Sequence, residues 1–290
     1  PKGPREIMFN NENLWIISFD DQILTKMDVQ GNLVGEINVG GGPWAITSDE
    51  KYIWIADSTE ALIHRIGPID AQMPEPKVRI KDPVNFQTIQ SLPKILLGEN
   101  GVWTSPVPFV MINNKLWVTV PGEKRIIRIN SEGNEELSVP LDGNAASLAF
   151  DGNFIWVTNP EERSILQLTQ NGEYVEEFKV STRPTKIIFV NNDLWFINST
   201  DDSVSHMKRS GEIVSVILTG GWPVDIIYDG KFIWTANARD KTISRLTLDG
   251  EDINNYRVGN TPVKIAFSDL HGDGHVWVVN YEDDSIMKLT

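Results

Sequence analysis

The sequence predicts an all-β fold: seven short four-stranded antiparallel units closed into a ring. Three observations predict it. A tryptophan preceded by an apolar residue recurs at 15, 54, 117, 156, 195, 234 and 277, at intervals of 39, 63, 39, 39, 39 and 43 residues. A second mark keeps register with it: Pro4, Pro43, Pro106, Pro184 and Pro223 stand eleven residues earlier, with Ala145 in that slot of the fourth unit. In the seventh unit the insertion SDLHGDGH sets Pro262 fifteen residues before Trp277. Finally, no stretch sustains the 3.6-residue period of an amphipathic helix, and antiparallel units of about forty residues are the pattern of a β-propeller.

Within a unit the elements follow in fixed order. After the proline comes an apolar run (REIMF, TKIIF, VDIIY, VKIAF), expected as the innermost strand. The pairs NN or DG come next, suited to the positive φ angles of two-residue hairpin turns. Then come the Trp strand, a polar hump such as PEER, an alternating strand (SILQL, TISRL, SIMKL), a Gly turn (QNGE, RSGE, LDGE) and a more polar outer strand. The expected blades, in a single domain, are 4–42, 43–105, 106–144, 145–183, 184–222, 223–261 and 262–290. Blade two exceeds the repeat by 24 residues, and its Pro-rich stretch around 67–105 reads as an elaborated outer strand and loop. The seventh unit stops at KLT after three strands, so its outer strand is expected from elsewhere and the chain reads as a piece of a longer precursor.

Composition narrows the function. The chain has 290 residues, 40% hydrophobic and 23% charged, the proportions of a soluble globular protein. A formal net charge of −14 disfavours nucleic acid and anionic membrane surfaces as partners. Cysteine is absent, which excludes disulfides, Cys-ligated zinc, iron–sulfur clusters and a thiol nucleophile. No apolar run approaches the roughly 20 residues of a membrane helix. No Gly-x-Ser-x-Gly, phosphate loop or dinucleotide fingerprint is present.

The segment IWVTN at 155–159 resembles the signature of the YVTN-repeat surface-layer proteins. Their valine-glycine-x-x-proline element is matched by VGGGP (39–43) and VGNTP (258–262). The streptogramin (virginiamycin) B lyases are similar in architecture, with seven blades whose strands read leucine-tryptophan-phenylalanine-threonine-glutamate. The resemblance covers all seven units and implies the fold. The first family implies a surface, scaffold or binding role. The second implies a channel metal held by glutamates three residues after each Trp, beside a catalytic histidine. Those positions here are Ser18, Asp57, Val120, Asn159, Asn198, Asn237 and Asn280, with no Glu among them. The histidines are His64, His206, His271 and His275, and the alignment puts none at the channel mouth.

Four sets of residues are candidates for function. The Asn ring (Asn159, Asn198, Asn237, Asn280) reads as repeated turn caps; its metal reading joins it with Asp57 as an oxygen girdle for Ca²⁺, as in gluconolactonase-like propellers. Two residues past the proline slot stand Glu6, Ala45, Pro108, Ser147, Lys186, Asp225 and Lys264. The four charged ones fall in consecutive blades with alternating sign, so pairing across blade boundaries is expected. The alternative sets Lys186 and Lys264, with Arg183 and Arg5, toward an anionic group at the channel mouth, and Asp225 or Glu6 as general acid or base. Thirdly, the off-register Trp44, Trp103 and Trp222 sit on or beside loops of one face, where they would bind sugars, peptides or proteins or plug the channel mouth. Lastly, Asp269, His271, Asp273 and His275 alternate as in a calcium loop, but Asn280 fills position twelve, so a solvated turn is expected.

The expected function is a non-catalytic binding or scaffold propeller without a cofactor, extracellular or at a cell surface, presenting a loop face to a protein or glycan. The alternative is a metal-dependent lyase or lactonase with its site at the channel.

Overall fold

The computed structural model describes residues 2–49, 51–59, 62–67, 90–91, 109–120, 122–130, 133–270, 272 and 274–289. They form seven antiparallel sheets in chain order, six of four strands and the last of three. Each innermost strand borders those of its two neighbours, and that of blade seven (Pro262–Ser268) borders that of blade one (Pro4–Asn10), closing the ring. This is the seven-bladed propeller that the repeat predicts. Blade two is completed by the short strand Gln90–Ser91, paired with His64 and Arg65. Trp103 and the remainder of the expected insertion lie outside the described residues.

Apolar side chains pack between blades. Seven buried clusters each join two neighbouring blades, including one that sets Ile7, Leu14 and Ile16 of blade one against Ala266, Trp277 and Val279 of blade seven. All seven repeat tryptophans are buried in these interfaces. The innermost residues serve the neighbour as well. The side chains of Glu6, Ser147 and Asp225 each accept a hydrogen bond from a backbone N–H forty residues on, at Ile46, Ile187 and Ile265 (2.9, 3.3 and 3.0 Å).

The hairpin turns correct one expectation. The Asn pairs behave as predicted: Asn113 and Asn114, and Asn191 and Asn192, all have positive φ, as a two-residue turn needs. The Asp-Gly pairs do not. Only Gly152 and Gly230 are left-handed there, and Phe150 pairs with Ile155, which leaves a four-residue turn. The Asp carboxylate has another task. Asp49, Asp151 and Asp229 each accept two backbone N–H groups of the turn and the indole N–H of the Trp five residues on, at 2.8, 2.9 and 2.7 Å. One buried-side acceptor thus fixes both the turn and the Trp rotamer.

Candidate loop-face and channel site

The alternating charges meet as the register predicts. Lys264 Nζ lies 2.7 Å from Glu6 Oε1 and 3.3 Å from Asp225 Oδ1, and Lys186 Nζ lies 3.4 Å from the same Asp225 oxygen. The line Lys186–Asp225–Lys264–Glu6 crosses blades five, six, seven and one and sums to zero. Both oxygens of each carboxylate are engaged, one by lysine and the other by a backbone N–H of the next blade. Burial, then the neighbouring Lys264 charge, pushes Lys186 below the ordinary lysine range. Burial opposes the charge on Lys264 too, but Asp225 and Glu6 on either side raise it above that range.

The Asn positions are turned into the blades. Asn198 Nδ2 donates to Ser203 and Ser205, Asn237 Nδ2 to Thr242 and Ser244, and Asn280 Nδ2 to Ser285. Asn159 Oδ1 accepts the Glu162 N–H. Asp57 sits in the same slot with His64 3.4 Å away, an Asp–His pair where blades five and six have Asn–Ser at the same spacing. Asp57 Oδ1 also accepts the N–H groups of Gly42 and Thr59. Asn198 Oδ1 accepts from Thr182 of the preceding blade, whereas Asn280 Oδ1 is buried without a hydrogen-bond partner. Among the described residues no three His, Asp or Glu could hold a metal.

Of the described histidines, His64 and His275 each keep a buried Nδ1 without a partner. His206 stacks on Trp195 (4.3 Å between ring centroids, 9° between planes) with Asp193 Oδ2 at 2.7 Å. His275 pairs with Ser268 at the hairpin of blade seven, where Asp269 Oδ1 accepts the Gly272 N–H; His271 and Asp273 lie outside the described residues.

On the loop face the tryptophans separate. Trp44 is half-buried and is the extra residue of a β-bulge between Pro43 and Ala45. Arg5 is the extra residue of the corresponding bulge in blade one. The two stack, with the Arg5 guanidinium carbon 4.4 Å from the Trp44 ring centroid, 4.0 Å from that of Tyr281 and 5.6 Å from that of Phe19. Trp222 is 55% exposed and holds φ +55, a backbone state that costs an L-residue roughly 1–2 kcal/mol. Gly3 and Thr261 share this conformation in the same pre-proline slot, with φ +60 and +50, whereas Gly42, Asn144 and Arg183 in that slot do not. The Trp222 backbone is pinned from both sides: its N–H donates to Asp202 Oδ1 (2.7 Å) and its carbonyl accepts from Ala238 N–H (3.0 Å). The Trp222 N–H, then Arg239, holds the Asp202 carboxyl below its ordinary range. Arg183 stands exposed on the loop before Pro184, where its charge acts on Glu161.

Sequence reading missed one repeated feature. Eleven residues after each Trp stand Lys26, Arg65, Arg128, Gln167, His206, Arg245 and Lys288, cross-strand partners of the tryptophans. Five of these place a cation 5.0–5.7 Å from the indole centroid. The fixed spacing was the available signal. Phe19, Tyr281, Asp202 and Arg239 carried none, because their slots vary from blade to blade.

Comparisons with known proteins agree on architecture. No family model matches the chain, and no curated protein matches it. Among solved structures it is similar to a streptogramin B lyase (TM-score 0.79, 20% identity, covering 100% of this chain and 93% of that one). It is similar also to virginiamycin B lyase from Staphylococcus aureus (TM-score 0.77, 20% identity, 100% and 95% covered). A catalytically inactive variant of the latter enzyme with quinupristin matches with TM-score 0.77 at 21% identity, over 99% of this chain and 94% of that one. The class is thus a seven-bladed propeller of the virginiamycin B lyase-like fold. At these identities the likeness is one of fold.

Proposed function

We propose that the chain is a non-catalytic binding module, extracellular or at a cell surface, whose loop face engages a protein partner. The observation that carries this reading is Trp222: a large aromatic, 55% exposed, held in a left-handed backbone by hydrogen bonds from two neighbouring blades. Backbone strain that the surroundings over-determine is typical of functional sites. Trp, Tyr and Arg, the residues that dominate binding hot spots, gather on the same face as Trp222, Trp44, Tyr281, Arg5 and Arg239.

A second reading, an enzyme of lyase or lactonase type with a divalent ion at the channel, is favoured by the likeness to the lyases. Against it, Asp225 and Glu6, the candidate bases, are each tied to a lysine and to a backbone N–H of the next blade.

The test uses displayed peptide and glycan libraries, screened with wild type and Trp222→Gly. Glycine relieves the left-handed strain, so the variant should melt no lower than wild type while its peptide binding falls at least tenfold. Undiminished binding by the variant, or glycan ligands only, would sink the protein-partner reading. Calcium-dependent turnover of quinupristin or a lactone would replace it with the enzyme.

A further inference from the structure

We propose that Arg5, with Trp44, Tyr281 and Phe19, is a receptor for a carboxylate borne on an apolar or aromatic group. This rests on the binding reading above and names the chemistry of one ligand group. Arg5 is not required by the repeat: the same slot holds Trp44, Val107, Ala146, Thr185, Val224 and Val263 in the other blades. It is placed by a β-bulge, a device that re-aims a side chain. Rings from blades seven and two lie 4.0 and 4.4 Å from the guanidinium carbon and pack against it. What remains is the N–H edge, the part that grips a carboxylate through two parallel hydrogen bonds.

That edge has no occupant among the described residues. Arg5 makes no hydrogen bond or ion pair there, and its Nε is buried without a partner. Three carboxylates around the N-terminal strand have other partners, and Asp20 lies against Gly3. Glu6 is held by Lys264 and the Ile46 N–H, Asp284 Oδ1 accepts the Gly3 N–H at 2.6 Å, and Asp21 Oδ2 accepts the Lys2 N–H at 2.7 Å. Arg5, Trp44, Phe19 and Tyr281 are each partly exposed, while the Arg5 Nε itself is buried, which leaves the terminal N–H groups for a ligand. The edge-on contact of Phe19 with Trp44 (5.8 Å, 89°) supplies an apolar wall for whatever carries the carboxylate. A flat anion entering between flat walls is favoured over a tetrahedral one.

The experiment is a titration of ¹⁵N-tryptophan-labelled protein with benzoate, followed by the indole N–H resonances, with the Trp44 signal assigned from Trp44→Phe. Benzoate is expected to shift that signal saturably, while benzamide and inorganic phosphate leave it in place. Arg5→Gln should weaken the response at least tenfold, and Arg5→Lys, which keeps the charge without the fork, at least threefold. The other nine of the ten indole signals report whether each variant is folded. If Arg5→Gln fails to fold, Arg5→Lys decides. An absent benzoate response, an equal response to benzamide or phosphate, or full binding by a folded Arg5 variant overturns the proposal. Because the probe is a small molecule, failure here leaves the Trp222 result standing, and failure at Trp222 leaves this result standing.

Discussion

The molecule stacks a cation on a tryptophan in two settings. On the blades, Lys26, Arg65, Arg128, Arg245 and Lys288 cover the indole of a cross-strand neighbour in the same sheet. On the loop face, Arg5 lies among rings contributed by blades seven, one and two. The local chemistry is alike, yet the first arrangement recurs at fixed spacing and the second occurs once. Arg245 makes the point well. Its Nε is buried and unpartnered like that of Arg5, and it too lies over three rings, Phe232, Trp234 and Tyr256. Its position belongs to the repeat, which gives it a structural duty that Arg5 lacks. In a repeat protein, departure from the repeat separates a binding group from a strut.

The largest expected effect lies in the struts. Trp156 is fully buried, stacks on Phe178 at 5.7 Å and donates to Asp151. Trp156→Ala should cost about 4 kcal/mol in urea unfolding, as large-to-small core substitutions do, and leave the benzoate response of the folded fraction unchanged. A loss under about 1 kcal/mol would show that the inter-blade clusters do not carry the ring.

Next comes the channel line, where neighbouring lysines should behave differently. Lys264 is shared by two carboxylates, and removing it leaves Glu6 without its cation. Lys264→Met should cost about 3 kcal/mol, whereas Lys186→Met should change stability by less than about 1 kcal/mol, since Lys264 still serves Asp225. The pH sign follows from the raised Lys264. A lysine raised in the native state contributes fully below its unfolded value and loses that contribution only as pH rises through the native one. The gap between wild type and Lys264→Met is therefore full at neutral pH and closes only in strong alkali. Equal costs for the two lysines would contradict the shared-carboxylate geometry.

Fold and site were unequally legible in the sequence. Trp and Pro spacing set the blade count and strand order, because every blade must bury the same face against the next. The pairing of Lys186, Asp225, Lys264 and Glu6 was also legible, since equal slots in consecutive blades are neighbours in space. The Asp-Gly turns were misread because Asp and Asn are interchangeable as turn residues on average. Only the structure shows the Asp49, Asp151 and Asp229 carboxylates bonded to an indole five residues away. Trp222 was picked out as an off-register tryptophan and Arg5 as a cation beside the channel-mouth lysines. Their surroundings were not, because Phe19 and Tyr281 meet Arg5 from separate blades and nothing in one blade's pattern announces the other.

The most direct measurement compares Arg5→Gln with Arg245→Gln, each by urea midpoint and by benzoate titration at the Trp44 indole. The expected result is a crossover: Arg245→Gln loses about 1 kcal/mol of stability and keeps the benzoate response, whereas Arg5→Gln loses the response at little cost in stability. Matching losses of stability in both variants, with benzoate binding untouched in either, would contradict the division between repeated strut and unrepeated binding group.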